Sequence, residues 1–217
     1  MKRALEHLSD EEAMSLVQKG NMDAFAELAR RYEQKLLNFL YRFVGNAAQA
    51  EDLMQATLLK VYRSRARFKG SGKFSTWVYT IAANVARDYL RKTKKYRFVS
   101  LEAPVGQSST VIDFFEAEGE SASESVQKKE MAKLVRLAIA RLPREQRLAI
   151  LLSHYEDMCY DEIARILGCS KGTVKSRVFR AKMKMKEFLA DYLAGKEVAR
   201  SNELQESDTT TTSLFGS

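Results

Sequence analysis

The chain has 217 residues, 45% hydrophobic, with 36 Lys and Arg against 28 Asp and Glu, a formal net charge of +8 and two cysteines. That composition reads as a soluble, basic, intracellular protein. Met1-Lys2-Arg3 leads into Ala4-Leu5-Glu6-His7 rather than an apolar run, and the longest apolar run, Leu148 to Leu152, is far short of the roughly 18 residues a spanning helix needs, so neither a secretory signal nor a membrane span is expected.

Charge divides the chain. Residues 1–99 carry a net +9, 100–127 a net −6, 128–200 a net +8 and 201–217 a net −3. Two basic blocks around an acidic stretch suggest two small domains that each meet a polyanion, joined by a segment that does not lie on that surface. Only two prolines are present, Pro104 and Pro143, and apolar residues recur at three and four, so an all-α fold is expected.

In chain order, Ser9 to Glu12 is a capping box opening a short helix that ends near Gly20. Asp23 is placed to cap the next helix, whose face is Phe25, Leu28, Ala29, Tyr32, Leu36, Phe39, Leu40 and Phe43, ending at Gly45. A third helix follows Asn46, with Ala50, Leu53, Met54, Thr57, Leu58 and Val61 inward, and runs to about Arg67 before Gly70 and Gly72 interrupt the chain. A fourth, capped near Ser75 and running to about Thr93, turns Phe74, Val78, Ile81, Ala82, Val85 and Tyr89 to one side. The acid-bearing residues 100–127 read as a flexible linker with an apolar island, Val111, Ile112, Phe114 and Phe115. A helix from about Ser123 to Leu142 opens the second unit, Pro143 sits at the first turn of the next helix, and residues 195–217 read as a disordered tail.

Tyr160 to Arg177 has the spacing of a helix-turn-helix: Ile163 and Leu167 in the core, small Ala164 at the crossing, Gly168 at the turn and Ser170 as the second cap. Val174, Val178, Ala181 and Met185 form an inward stripe of the second helix. Thr173, Ser176, Arg177 and Arg180 form an outward one, flanked by Lys175 and Phe179. A polar, basic outward stripe suits a helix in a major groove, with Arg for guanine edges and neighbouring cations for phosphates.

Lys60 to Arg97 holds twelve basic residues and one acid, Asp88, interleaved with Phe68, Phe74, Trp77, Tyr79, Tyr89 and Tyr96. Cations among aromatics describe a surface that tracks a phosphate backbone and stacks or pockets unpaired bases. Phe74 and Tyr89 fall on the apolar stripe, whereas Trp77, Thr80, Asn84, Arg87 and Arg91 lie on a more polar face suited to contact. Glu51, Asp52 and Gln55 line an exposed helix side, either a solvated face or a docking patch for a basic protein. With no Gly-rich phosphate loop, nucleophile motif or His–carboxylate cluster, catalysis is not expected. Cys159 and Cys169, with only His7 and His154 in the chain, provide no zinc-site spacing, so reduced thiols and no metal or cofactor are expected.

These segments together resemble the sigma factors of bacterial RNA polymerase, sigma-70 family, of the small extracytoplasmic-function (ECF) type. The resemblance covers about residues 9–98 and 128–190 and rests on AFAELARRYEQKLLNFLYRFVGNAAQAEDLMQATLLKVYRSRARFKG, KFSTWVYTIAANVARDYLRK and LPREQRLAILLSHYEDMCYDEIARILGCSKGTVKSRVFRAKMKMK. It implies two small helical domains, a region 2-like unit at 1–99 and a region 4-like unit at 128–194, with the linker threading polymerase channels built for nucleic acid. It implies that Glu51, Asp52 and Gln55 meet the clamp helices of the largest polymerase subunit, although Ala56 stands where an acidic residue is usual. Phe68, Lys73, Ser75, Trp77, Thr80, Ile81, Asn84, Arg87 and Arg91 are then expected to open the −10 promoter element and hold a flipped base, with Phe68, Ile81 and Asn84 lining the pocket. Lys171, Thr173, Lys175, Ser176, Arg177, Phe179 and Arg180 are expected to read the −35 element, while residues 143–155 resemble the surface held by the polymerase flap. The partners so implied are core RNA polymerase, duplex and single-stranded promoter DNA, and an anti-sigma factor, in the cytoplasm. An autonomous helix-turn-helix regulator is the alternative, and a nucleic-acid enzyme a weaker third.

Overall fold

Short polar side chains open the helices. Ser9 Oγ accepts from the Glu12 N–H while the Glu12 carboxylate accepts from the Ser9 N–H, closing the expected capping box in front of α1 (Asp10–Gln18). Asn21 caps α2 (Met22–Val44) by accepting from the Ala24 N–H at 3.0 Å, in place of the expected Asp23, which falls inside the first turn. Asn46 caps α3 (Ala47–Arg63), and Gly45 between them takes a φ of +78°, a left-handed conformation that ends α2. A 3-10 turn at Arg65–Arg67 leads towards α4 (Phe74–Arg97). The cap of α4 is supplied from afar: the Phe74 N–H donates to Glu11 Oε1 at 2.7 Å, so the helix begins one residue before Ser75.

The computed structural model describes residues 5–97 and 122–212, and among them every regular element is helical. The apolar island at 111–115 lies outside the described residues. The second group comprises α5 (Ala122–Arg141), α6 (Arg144–His154), α7 (Tyr160–Leu167) and α8 (Lys171–Thr212). Pro143 is the N-cap of α6 rather than its first helical residue, with extended ψ of 142°. The tail expected to be disordered from Gly195 is instead helical in its first part, α8 continuing to Thr212. Residues 196–206 contain neither proline nor glycine and are rich in Ala, Leu, Glu, Gln, Arg and Lys, which sustain a helix once one is propagating.

Leu28, Tyr32, Leu36, Phe39, Leu40 and Phe43 recur at three and four along α2 and are buried, making this helix the centre on which α1, α3 and α4 pack. Thr57, buried on α3, satisfies its hydroxyl by donating to the Leu53 carbonyl at 2.7 Å. Arg31 ties the chain start to α2: Nη1 donates to Leu8 O and Asp10 Oδ1, Nη2 to Leu5 O and Glu6 O, and Nε to Glu27 Oε1. In the second group α6, with Leu148 to Leu152 all buried, packs against α7 and α8. The two groups meet where α4 lies on α7 and α2 lies on α5 and α6, and their apolar interiors form one continuous core.

Candidate nucleic-acid interface

The α4 surface was expected to act as one face, and the structure splits it. Ile81 and Asn84, together with Lys60, Arg63, Ser64 and Arg67, line an open cavity of about 400 Å3 between α4 and the end of α3. Four polar or cationic side chains around a half-buried Ile81 edge and an exposed Asn84 amide suit a flat, hydrogen-bonding guest with a nearby phosphate. Sequence reading counted Lys60, Arg63 and Arg67 only as charge. Their spacing with Ser64, on one helix face and the turn after it, was the signal that could have placed them at the cavity.

Phe68, expected at that cavity, is not among its lining residues. It is 7% exposed and joins Phe74 and Trp77 in an aromatic cluster, with centroids 5.7 and 5.4 Å away. The reason is a distant side chain: Gln18 Nε2 donates to the carbonyls of Arg65 and Phe68, fixing the backbone so that the ring enters the core. Trp77 is half-buried in the same cluster rather than on an open face. Thr80 is half-buried, its hydroxyl donating to Thr76 O at 2.7 Å. Arg87 Nη1 donates to Asn84 Oδ1 at 3.1 Å, and exposed Arg91 pairs with Asp88 at 3.2 Å. Lys73 and Ser75 stand elsewhere, at a second cavity of about 360 Å3 between the two helix groups, shared with Tyr79, Tyr155, Glu156 and Glu162.

The helix-turn-helix forms as its spacing implies. Gly168 takes a φ of +63° after α7, Ser170 Oγ accepts from the Thr173 N–H at 3.1 Å, and Val174, Val178 and Ala181 are buried against the first helix and its neighbours. Lys175, Phe179 and Arg180 are exposed, Phe179 by 64%. Ser176 is half-buried and donates back to Thr173 O, and Lys171 pairs with Asp161 at 2.7 Å. Arg177 turns towards α6, with Nη1 3.4 Å from Glu145 Oε2 and 3.5 Å from Cys169 Sγ. Recognition-helix side chains thus fall into a free set and an engaged set.

On α3, Glu51, Asp52 and Gln55 are all exposed. Ala56, the residue that departs from the usual acid, is half-buried and packs against the core, a position where a small side chain fits without desolvating a charge.

Three acids that sequence reading left without a role meet two cations and a tyrosine of the first group. Arg87 donates to both Glu145 oxygens, Nη2 to Oε2 at 3.0 Å and Nε to Oε1 at 3.2 Å. Burial by itself would raise the Glu145 carboxyl, but the Arg87 hydrogen bonds and the charges of Arg87 and Arg177 outweigh it and hold the group below the usual glutamate range. Lys73 pairs with Glu162 at 2.8 Å, and that hydrogen bond is the main reason the Glu162 carboxyl is lowered. Tyr79 donates to Glu156, whose carboxyl burial pushes up despite that bond. Among the described residues no group of three or more His, Cys, Asp and Glu side chains is placed to hold a metal, and no helix is long and apolar enough to cross a membrane.

Comparison with known proteins adds the following. The Sigma-70 region 2 family model matches residues 28–96, and the Sigma-70, region 4 model matches 132–185. The RNA polymerase sigma-H factor of Pseudomonas aeruginosa is 33% identical over 180 residues, covering 80% of this chain and 90% of that protein. The ECF RNA polymerase sigma factor SigW of Bacillus subtilis is 32% identical over 175 residues, covering 81% and 94%. Among solved structures, the sigma factor RpoE in complex with the anti-sigma factor NepR from Bartonella quintana is 26% identical with a TM-score of 0.62, covering 76% of this chain and 96% of that one. CnrH in complex with the cytosolic domain of CnrY, at 22% identity and a TM-score of 0.62, shares the fold, with coverage of 84% and 97%.

Proposed function

We propose, from the premise that this chain belongs to the sigma-70 family of RNA polymerase sigma factors, in its ECF branch, how its two helical units divide the work of promoter recognition. The chain is a sigma factor: it joins core RNA polymerase and directs transcription initiation at promoters. The observation that carries the residue-level reading is the cavity where Asn84 and Ile81 meet Lys60, Arg63, Ser64 and Arg67. A regulator that reads only duplex DNA has no use for a recess roomy enough to admit a base and flanked by three cations, and the autonomous-regulator alternative is set aside.

In this reading residues 1–99 open the −10 element. A non-template base leaves the stack and enters the α3–α4 cavity, where the Asn84 amide offers both a donor and an acceptor to a base edge, Ile81 supplies an apolar wall, and Lys60, Arg63 and Arg67 hold the adjoining phosphates. Unpairing costs a few kcal/mol, offset by those contacts. Residues 128–194 place α8 in the major groove at the −35 element, with Arg180, Lys175 and Phe179 already exposed and Arg177 following once Glu145 releases it. Glu51, Asp52 and Gln55 dock on a basic helical surface of core polymerase. The spacing between the two promoter elements is set by both units gripping one polymerase. No chemical step belongs to the chain, and its place is the cytoplasm, where polymerase and promoter DNA are. The Bartonella quintana sigma factor solved with an anti-sigma factor supports an inhibitor of that class as a further partner.

The test is gel filtration of the purified chain with bacterial core RNA polymerase at increasing salt. Co-elution that survives moderate salt supports the reading, because nonspecific ionic contact fades with screening. Loss of co-elution at low salt, with duplex binding retained, overturns it.

A further inference from the structure

The side chains around the α3–α4 cavity differ in what they can offer a guest, and the bonds they already make decide it. Asn84 carries a donor and an acceptor on one amide. Its Oδ1 accepts from Arg87 Nη1 at 3.1 Å. A guanidinium has donors and no acceptor, so it can face only the oxygen of that amide, and the NH2 end is turned away from it. The contact spans a single turn of α4, three residues apart, and so belongs to the helix itself. Glu145 adds rigidity: its two oxygens accept from Arg87 Nη2 at 3.0 Å and Nε at 3.2 Å, fixing the guanidinium plane with Nη1 directed at Asn84.

The rest of the lining is equally one-sided. Ser64 Oγ donates to Lys60 O at 2.6 Å, so a guest meets its lone pairs and not its proton. Lys60, Arg63 and Arg67 are exposed donors that cannot accept. The cavity therefore presents the Asn84 NH2, an ammonium and two guanidinium groups against the Ser64 oxygen, over the apolar edge of Ile81. Bases differ in what they bring to such a wall: thymine and guanine carry a carbonyl oxygen where cytosine and adenine carry an amino group. An amino group opposite the Asn84 NH2 sets donor against donor and leaves both without a partner. A carbonyl oxygen there accepts, and unmade bonds to desolvated polar groups are the costly outcome.

We infer that the cavity selects a keto base, thymine or guanine, over an amino base, and that Arg87 sets this preference by holding the Asn84 amide with its NH2 toward the guest. The inference rests on the reading that the cavity receives an unpaired base. Arg87 is then a positioning residue acting through Asn84, not a group that touches the base, and Asn84 is the residue that determines specificity.

The experiment uses the full chain, in which the cavity is open to solvent, and short labelled single strands of uniform sequence, so that whichever nucleotide enters carries a known base. Fluorescence anisotropy at low salt and slightly alkaline pH compares oligo(dU), oligo(dC) and a wholly abasic strand. The first two differ only along one base edge, a keto oxygen with a ring N–H against an amino group with a bare ring nitrogen, and their phosphates are identical, so backbone attraction cancels from the ratio. Wild type is expected to bind oligo(dU) several-fold more tightly than oligo(dC), and both more tightly than the abasic strand. N84D, which puts an acceptor where the NH2 stood, is expected to invert the ratio. R87A is expected to bring it close to unity and R87K, which keeps a donor for Oδ1, to restore it, a pattern that lost charge alone does not produce. Binding of both base-carrying strands above the abasic one, but with oligo(dC) equal or preferred, overturns the inference and leaves base capture standing. An undiminished ratio in R87A removes Arg87 from the positioning role and overturns it as stated. An abasic strand bound as well as the others rejects base capture and the inference with it. If N84D fails to fold by circular dichroism, the wild-type, R87A and R87K ratios decide alone.

Discussion

Gln18 at the end of α1 donates to the carbonyl of Phe68 at 2.7 Å, fifty residues along the chain, and the Phe68 ring lies on the core side of that bond. The same amide reaches Arg65 O at 2.8 Å, so one side chain pins both ends of the turn after α3. Phe68→Ala is therefore expected to act on stability, at about 3 to 5 kcal/mol for a phenyl ring removed from an aromatic cluster. Urea unfolding checks it through a lower midpoint with an unchanged slope. An unchanged midpoint with lost −10 opening would return Phe68 to the base pocket.

Asn84 offers the opposite case. It is exposed and pairs with Arg87, so Asn84→Ala leaves the core intact and removes the amide from the cavity. Opening of the −10 region, followed by permanganate footprinting, is expected to fall by about tenfold or more, the effect of one good base contact of about 1 to 3 kcal/mol, while affinity for core polymerase stays the same. Parallel loss of both activities would indicate a folding defect.

On the recognition helix, Arg180 is the cleaner probe than Arg177, which also pairs with Glu145. Arg180→Ala is expected to weaken use of a cognate promoter by about 1 to 3 kcal/mol if it reads a base edge. If it meets only phosphate, the loss is uniform across sequences and the salt slope of binding falls by about one. Transcription titrations over promoter variants separate these outcomes, and unaltered transcription removes Arg180 from the interface.

Because Glu51 and Asp52 are exposed on α3, the double reversal E51K/D52K is expected to leave the thermal midpoint within a few degrees of wild type and to abolish co-elution with core polymerase at moderate salt. Retained co-elution would place the polymerase contact elsewhere.

Acidification should act on the helix-group junction in two directions. Glu145 and Glu162 lie below the ordinary 4.5 when folded, so their contacts contribute stability that is fully present above that value and lost as pH falls through each lowered value. Glu156 is raised by burial, with Tyr79, Arg42 and Lys35 favouring its charge and Asp157 opposing it, so its ionised form costs stability above the raised value. Glu156→Gln keeps an acceptor for the Tyr79 hydroxyl and removes that cost. Thermal melts should show the variant more stable than wild type at neutral pH, the difference closing on mild acidification. A variant less stable at neutral pH would mean that the charge itself holds Tyr79.

Local order was readable because its causes are local. The Ser9–Glu12 box, the Gly168 turn and the Ser170 cap each involve residues three to five apart, and the apolar repeats of α2 and α8 follow from the helix period. Near misses arose where two equivalent groups compete within a turn, as Asn21 displaces Asp23, or where the capping group is distant, as Glu11 caps Phe74 from 63 residues away. The tail was ambiguous because its composition satisfies both a solvated coil and a helix that is already propagating.

By itself the sequence determined that the chain is helical, that it carries two basic blocks around an acidic one, that α8 opens behind a capped turn, and that its motifs match one family. Period, capping chemistry and net charge settle those properties without reference to distant contacts. Tertiary structure alone decided which cations and aromatics of α4 face solvent, which enter the core and which meet acids. Arg87 and Glu145 stand 58 residues apart and become partners only because α2 and α4 pack on α5, α6 and α7. Charge pairing across such a distance has no period, so it is invisible until the helices are in place.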